Sequence, residues 1–242
     1  MKLHITGASG YLGSELVRLR PEASTERVEV RDAAAVRELF ERIRPDAVIH
    51  TAYRQDEDEV NTVGSENVAR AAALAGIRFV HLSTDVVFDG RKGAPYVEED
   101  PLSPVTEYGR AKAEAELRAA LAHPEALLVR TSLLYGGATP SKHELAARDP
   151  AFTFFTNEIR SPVQVTDLAE ALLELADLDV AGPLHVAGAD GVSRAELAEL
   201  ILGAPVRSRP APESRPLDCR LDSSRAQALL RTRLRGVREV LS

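Results

Sequence analysis

The sequence contains a single cysteine, Cys219, and no tryptophan among its 242 residues. One thiol cannot form an internal disulfide bond, and a reducing compartment suits such a chain. No run of apolar residues reaches the roughly 18 that a membrane-spanning helix requires. The first residues enter a predicted strand directly, which argues against a signal peptide. We therefore expect a cytoplasmic protein without a membrane segment.

Several classes of functional site are also missing. Histidine, cysteine and acidic residues never cluster at the spacing of metal ligands, so the sequence predicts no metal site. The Gly-x-Ser-x-Gly elbow of serine hydrolases is absent. The formal net charge is -7, and the acidic and basic residues are interspersed. This charge pattern argues against a nucleic-acid partner.

A glycine-rich stretch opens the chain. Gly7, Gly10 and Gly13 follow a short apolar strand and precede a helical pattern of leucine and valine. The first glycine permits a tight turn, the second lets a pyrophosphate approach the backbone, and the third lets helix and strand pack closely. The helix start adds unpaired N–H groups and a positive dipole end. The pattern predicts a dinucleotide site. The alternative is a glycine turn without a ligand, because the spacing is G-x-x-G-x-x-G and not the commoner G-x-G-x-x-G.

Strands and helices alternate along the rest of the chain. This order predicts an α/β fold, a Rossmann-like doubly wound parallel sheet with a small C-terminal substrate-binding portion. We expect residues 1–135 to form the dinucleotide-binding Rossmann domain. Residues 136–242 are expected to form the smaller substrate-binding portion, interleaved with the last core strands and helices.

One strand of the usual Rossmann half is expected to be shortened or lost. Only about 15 residues separate Gly13 from a short strand predicted at 28–30, which is too few for complete crossovers. The second strand normally ends in an acid that binds a ribose 2′-hydroxyl, or near an arginine that binds a 2′-phosphate. Glu29, Arg31 and Asp32 compete for that role. The alternative is that Asp32 only caps the next helix and that Arg31 is solvated.

Three further expectations concern loops and histidines. Residues 56–59 are predicted to form a solvated acidic turn, and residues 135–150 an irregular segment that could be a substrate lid or disordered. Thr166 is predicted to cap a helix. His81 and His185 lie inside apolar strands, so we expect packed core histidines and not catalytic ones.

A second group of polar residues lies far from the glycines. Tyr108 and Lys112 are one helical turn apart on one face of a predicted helix, and Ser83 and Thr84 end a predicted strand. A ketone that accepts a hydride develops alkoxide charge, which requires a proton donor and a second hydrogen bond. Tyr108 can donate the proton and Thr84 the second bond. Lys112 is placed to lower the pKa of the phenol from its usual value of about 10.

In this combination the chain resembles the extended short-chain dehydrogenases/reductases, and more closely the dTDP-4-dehydrorhamnose reductase family. The motifs that carry the resemblance span nearly the whole chain, at residues 6–13, 44–49, 83–90, 108–112, 130–132, 161–163, 167–169 and 215–222. The resemblance implies reduction of the 4-keto group of a deoxythymidine-diphosphate sugar, with NADP(H) or NAD(H) as the cofactor.

The resemblance also implies roles for individual residues. The catalytic residues would be Thr84, Tyr108 and Lys112. The cofactor would be bound by Gly7, Ser9, Gly10, Tyr11, Leu12, Glu29, Val30, Thr51, Ala52, Tyr53, Ser83, Tyr108 and Lys112. The nucleotide-sugar substrate would be bound by Thr84, Asp85, Val86 and Arg215.

The chain departs from the family pattern at several positions. Glu29 stands where the family usually has an aspartate, and Arg54 where a threonine is usual. The section from 136 to 161 is short. Asp218 and Cys219 replace the usual Asn-Ser, and the carboxylate of Asp218 is expected to repel a nucleotide pyrophosphate.

Two other functions remain open on the sequence alone. The same resemblance extends to the regulatory subunit of methionine adenosyltransferase, which would make the chain a non-catalytic dinucleotide-binding protein. A nucleotide-sugar epimerase or dehydratase is the other alternative on the same fold. Dehydratases commonly need an Asp-Glu pair beside the threonine, and here Asp85 is followed by Val86. A homodimer is a further expectation.

Overall fold

The structure, a computed structural model, describes residues 1–54 and 57–242. Asp56, the first residue of the predicted acidic turn, lies outside the described residues. The strands are β1 Leu3–Thr6, β2 Ala47–His50, β3 Arg78–Thr84, β4 Leu127–Thr131, β5 Leu134–Tyr135, β6 Phe154–Phe155, β7 Ile159–Arg160, β8 Val163–Gln164, β9 Gly182–His185, β10 Val192–Ser193 and β11 Ser208–Arg209. The α-helices are α1 Tyr11–Leu19, α2 Ala33–Ile43, α3 Asp58–Asn61, α4 Val63–Leu74, α5 Glu107–Ala122, α6 Lys142–Ala147, α7 Val165–Ala176, α8 Arg194–Leu202, α9 Ser224–Leu229 and α10 Val237–Val240.

Five strands form a parallel sheet in the order β1-β2-β3-β4-β9. Alternate residues of its strands face two different hydrophobic clusters. Ile49 and Val80 pack with α1 and α7, whereas Val48 and Phe79 pack with α2, α4 and α5. Because helices cover both faces, β1 to β4 are buried along nearly their whole length. The predicted doubly wound α/β fold is therefore confirmed.

Residues 28–30 do not form a strand, so that prediction is wrong. A single residue, Ser24, pairs with β1 in its place, through an isolated bridge to His4. The Ser24 N–H donates to the Leu3 carbonyl at 2.8 Å, and the Ile5 N–H donates to the Ser24 carbonyl at 2.9 Å. The second strand of the Rossmann half is thus reduced to this one bridge, which confirms the expectation that a strand is shortened or lost. The chain then crosses to the opposite face of the sheet in α2, so the winding direction changes beside β1, where ligands bind in open α/β sheets.

Two predicted loops contain helices. Residues 135–150 include α6, which begins with a capping box between Ser141 and Glu144. Asp58 and Glu59 of the predicted acidic turn begin α3, and Glu57 is its N-cap. Within the described ranges, no helix combines the length and the apolar character needed to cross a membrane.

The predicted helix caps are partly correct. Asp32 caps α2 by accepting hydrogen bonds from the Ala34 and Ala35 N–H groups, both at 3.0 Å. Thr166 does not cap α7, because that helix already begins at Val165. The Thr166 hydroxyl instead donates to a Glu15 carboxylate oxygen and joins α7 to α1.

Candidate functional site

The turn between β1 and α1 is closed around glycines. Gly7 has a φ of +70°, and a Cβ there would lie 2.6 Å from the backbone nitrogen of Ala52. A Cβ on Gly13 would lie 2.1 Å from the Gly7 carbonyl oxygen, because helix and strand pack directly on each other. Gly10 is the N-cap of α1, and among the described residues no side chain caps this first turn. Its N–H groups can therefore bind an anion.

A cleft of about 460 Å³ runs from one side of this turn. Its lining includes the predicted cofactor residues Gly7, Ser9, Glu29, Val30, Ala52 and Tyr53, and also Arg27 and Arg54. Arg31 holds the Glu29 carboxylate through two hydrogen bonds, Nε to Oε1 at 2.9 Å and Nη2 to Oε2 at 3.0 Å. These bonds, with one from the Arg31 backbone N–H, lower the pKa of Glu29 to about 2. Because Asp32 caps α2, Glu29 and its partner Arg31 are left of the three predicted candidates, and Arg27 and Arg54 also line this cleft.

A second cleft of about 680 Å³ lies on the other side of the turn and shares Tyr53 with the first. Its lining includes the remaining predicted site residues, namely Gly10, Tyr11, Leu12, Thr51, Ser83, Thr84, Asp85, Val86, Tyr108, Lys112 and Arg215. The structure therefore brings every predicted site residue onto one of two adjoining clefts. The carboxyl ends of β1, β2 and β3 and the first turns of α1 and α5 form their walls.

Lys112 is buried at the base of the second cleft, 5% exposed. Thr106 begins its helix, α5, by accepting a hydrogen bond from the Gly109 N–H at 3.0 Å. The Lys112 ammonium donates to the Leu82 carbonyl. Burial lowers the pKa of Lys112 to about 8, and the nearby Glu116 carboxylate opposes that shift. The side chain is therefore a buried cation at neutral pH.

Tyr108 lies one turn before Lys112, and its ring meets the edge of Tyr53 with centroids 5.2 Å apart. Tyr108 is 37% exposed, and desolvation of its phenol by the surrounding protein raises the pKa of Tyr108. Tyr53 and Asp85 add to the increase, while the Thr84 hydroxyl opposes it. The predicted lowering of the Tyr108 pKa by Lys112 is therefore wrong. The phenol is protonated and can act as a proton donor.

Thr84 is the last residue of β3, and its hydroxyl lies in a polar network. It accepts from the Val86 N–H at 3.4 Å and donates to Asp85 Oδ1 at 3.2 Å. The Ser132 hydroxyl donates to Asp85 Oδ2 at 2.6 Å, and the Arg160 Nε lies 3.7 Å from the same oxygen. Burial raises the pKa of Asp85, while Arg160 and then Ser132 oppose the change. This network fixes the Thr84 hydroxyl at the strand end.

Cationic side chains line the far end of the second cleft. Glu158 is fully buried and pairs with Arg215, and its Oε2 lies 3.7 Å from Arg194 Nη1 and 4.0 Å from Arg160 Nη2. Lys142 also lines this end, and burial and then Arg194 lower its pKa. Two carboxylates, Glu158 and Asp85, thus lie among the four cations Lys142, Arg160, Arg194 and Arg215. An anionic ligand would relieve their mutual repulsion.

Asp218 does not add negative charge to this end of the cleft. Its carboxylate forms two hydrogen bonds with Arg220, at 2.8 and 2.6 Å. It lies outside the described lining of both clefts. This geometry gives no support to a repulsion of pyrophosphate by Asp218, which stays a prediction.

Two buried hydroxyls in the second cleft are without partners among the described residues, Ser83 Oγ and Thr131 Oγ1. An unsatisfied buried polar group costs roughly 1–3 kcal/mol, so both hydroxyls suit a ligand that supplies the missing hydrogen bond. Together with the glycine turn, they make the adjoining clefts fit a dinucleotide.

Comparison with known proteins agrees with this geometry. The RmlD substrate binding domain matches residues 1–242. The dTDP-4-dehydrorhamnose reductase of Mycobacterium tuberculosis is 36% identical over 220 residues, which cover 80% of this chain and 72% of that protein. The chain belongs to the RmlD substrate binding domain family. The resemblance drawn from the sequence motifs is thereby confirmed.

Solved structures related to the RmlD family share the fold over its full length. The Bacillus anthracis dTDP-4-dehydrorhamnose reductase, in complex with NADP, superposes with a TM-score of 0.86 at 26% identity and covers 100% of this chain and 98% of its own. A hypothetical dTDP-4-dehydrorhamnose reductase from Sulfolobus tokodaii gives a TM-score of 0.82 at 31% identity, covering 98% and 97%.

Several residues of this RmlD site escaped the sequence analysis. Lys142, Arg160 and Arg194 line the second cleft beside Arg215, the one cation predicted to bind the substrate. They come from three separate segments, so no local spacing connects them. The Ser-x-x-Glu capping box that starts α6 was the available signal for Lys142.

Proposed function

We propose that the protein is an NAD(P)H-dependent reductase that acts on the 4-keto group of a nucleotide sugar, as a dTDP-4-dehydrorhamnose reductase does. One observation carries the proposal. Tyr108, Lys112 and Thr84 meet in a cleft that begins at the glycine turn, so a proton donor, a cation and a hydroxyl face a dinucleotide site.

The residues present fit the cofactor. The N–H groups of the glycine turn would hold its pyrophosphate, and Ser83, Thr51 and Lys112 would meet its nicotinamide half. Glu29 and Arg31 would lie at its adenosine end. When bound, the cofactor supplies the hydride. The protein supplies binding, orientation and the proton.

Tyr108 gives its proton to the keto oxygen as that oxygen gains negative charge. The phenolate that remains lies one helical turn from the Lys112 ammonium, which stabilises it because the charges are opposite. Thr84 turns its hydroxyl from Asp85 to the same oxygen and supplies the second hydrogen bond. Asp85 keeps its bond from Ser132 during this exchange, so its carboxyl group does not lose all its partners.

The cations at the far end of the cleft would bind the substrate diphosphate. Arg215 and Arg194 carry delocalised positive charge with several donors each, which matches phosphate oxygens. Glu158 holds both guanidinium groups by ion pairs. The sugar would then lie toward Asp85 and Val86, next to Thr84.

A turnover assay tests the function. The purified protein is titrated with NADPH and NADH, and then supplied with dTDP-4-keto sugars while nicotinamide absorbance is followed. We expect oxidation of the cofactor that depends on the sugar. Tight binding of both ligands without oxidation would refute the reductase and favour the non-catalytic alternative, which has no need of Tyr108 as a proton donor.

Four other expectations stay predictions. These are the division of the chain at residue 135, the homodimer, the cytoplasmic location, and the absence of a nucleic-acid partner. The choice between NADH and NADPH depends on the charged end of the first cleft, where Glu29 disfavours and Arg31 favours a 2′-phosphate.

A further inference from the structure

Tyr11 was predicted to line the cofactor site, yet its hydroxyl binds a distant part of the chain. The Gly137 N–H donates to the Tyr11 hydroxyl oxygen at 2.8 Å. That hydroxyl in turn donates to Glu144 Oε2 at 3.4 Å. The partners lie 126 and 133 residues further along the chain. Tyr11 is the first residue of α1, directly after the glycine N-cap, so these bonds begin at the dinucleotide turn.

Glu144 is the centre of the segment that Tyr11 contacts. The same carboxylate oxygen, Oε2, accepts from the Ser141 N–H at 2.8 Å and from the Gly136 N–H at 3.4 Å. The Ser141 hydroxyl accepts from the Glu144 N–H at 3.2 Å and completes the capping box. Residues 136–144 are therefore tied together by one carboxylate. Tyr11 is the link from that carboxylate to the first turn of the chain.

The contact is also tight. A Cβ on Gly137 would lie 2.9 Å from the Tyr11 hydroxyl oxygen and 3.1 Å from its ring carbon Cζ. The backbone of the segment thus rests directly on the end of the tyrosine side chain. A shorter side chain at position 11 would not reach it.

The same segment carries one cation, Lys142, into the substrate end of the second cleft. Lys142 and His143 follow Ser141 and line that cleft beside Arg194. Their position relative to the glycine turn depends on what holds residues 136–144. The Tyr11 hydroxyl connects these two parts of the site directly.

We propose that Tyr11 is a positioning residue for the substrate. Its hydroxyl fastens residues 136–144 to the cofactor turn and so holds Lys142 against the diphosphate of the nucleotide sugar. This inference rests on the proposed function for the identity of the substrate. It differs from the cofactor role predicted for Tyr11, because the bonds of the hydroxyl lead to the substrate segment.

The Tyr11→Phe variant removes the hydroxyl and keeps the ring. We expect the KM for the nucleotide sugar to rise about tenfold, while kcat and the Kd for NADPH stay within about twofold. Tyr135→Phe is the matched control, since Tyr135 is fully buried and its hydroxyl has no partner among the described residues. The control should change none of the three constants by more than about twofold.

Two further measurements separate this inference from the proposed function. Trypsin should cleave after Arg148, an exposed residue that follows α6, several-fold faster in Tyr11→Phe than in the wild type or in Tyr135→Phe. Binding of dTDP, measured by calorimetry, should weaken in Tyr11→Phe alone. Both results can be obtained even if no 4-keto sugar is reduced.

The inference is overturned if Tyr11→Phe leaves the KM for the sugar, the dTDP affinity and the trypsin rate unchanged. It is also overturned if the variant weakens NADPH binding about tenfold while the dTDP affinity stays at the wild-type value, because Tyr11 would then serve the cofactor. A wild-type protein that binds dTDP and cofactor but turns over no keto sugar would instead refute the proposed function.

Discussion

Acidification from about pH 8 to about pH 5 is expected to unfold this protein, because four buried histidines resist protonation in the folded state. They are at most 1% exposed: His4, His50, His81 and His185. Burial, as the largest cause, lowers the pKa of His50 to about 3, those of His4 and His185 to about 4, and that of His81 well below 6.5. In the unfolded chain each would titrate near the ordinary value of 6.5.

The direction of this change in stability with pH follows from proton binding. Between the folded pKa values and about 6.5, the unfolded chain binds protons that the folded protein excludes, so stability is lost as the pH falls through this window. Each excluded proton costs about 2 kcal/mol at about pH 5, and four cost about 8 kcal/mol if nothing relaxes. A domain is stabilised by roughly 5–15 kcal/mol, so the loss is comparable to the whole stability.

His81 offers the sharpest single test. Neither of its ring nitrogens has a partner among the described residues, and its ring stacks on His50 with centroids 5.5 Å apart. His81→Leu removes the titrating group and nearly keeps the volume. We expect the variant to gain about 2 kcal/mol over the wild type at about pH 5, beyond any difference at about pH 8.

Urea unfolding followed by circular dichroism measures both differences. The measurement at about pH 8 is the control, since the imidazole is then neutral in both states and only packing changes. If the variant and the wild type differ by the same free energy at both pH values, His81 takes up its proton in the folded protein and the reasoning fails.

Three further predictions concern catalysis. Tyr108→Phe should lower kcat at least about 100-fold and leave the Kd for NADPH within about tenfold, and unchanged turnover in a coupled assay would refute its role. The kcat/KM of the wild type should fall above pH 8, where Lys112 loses its proton, and Lys112→Arg should move this fall to higher pH. A fall at the same pH in both proteins would contradict the assignment of this titration to Lys112. Arg215→Ala should raise the KM for the nucleotide sugar about tenfold at constant NADPH affinity, and a loss of cofactor binding instead would place Arg215 elsewhere.

Local patterns were enough to predict much of the site. The glycine turn is defined by close approaches between residues near in sequence, such as Gly13 and the Gly7 carbonyl. Tyr108 and Lys112 share a helix, so their spacing fixes their common face. Thr84 could be placed because ligands bind where parallel strands end.

The failed strand prediction shows where local patterns stop. Residues 28–30 alternate as a strand would, but Val30 packs into the cluster beneath α2 and α4. A Cβ on Gly64 would lie 2.5 Å from Val30 Cγ2, so α4 meets this segment directly. A tertiary contact, which no window of sequence contains, determines the backbone here. Lys142, Arg160 and Arg194 were missed for the same reason, as three separate segments supply them.

The opposite pKa shifts of Tyr108 and Lys112 have one physical cause. Burial raises the pKa of the phenol and lowers that of the ammonium, so each charged form is disfavoured when it is alone. A phenolate and an ammonium formed in the same site stabilise each other, because their attraction is strongest where water is excluded. Under the proposed mechanism, Tyr108 would keep its proton until a substrate oxygen acquires negative charge and can accept it. The lowering of the phenol pKa that the sequence predicted would instead make Tyr108 lose this proton to water more readily.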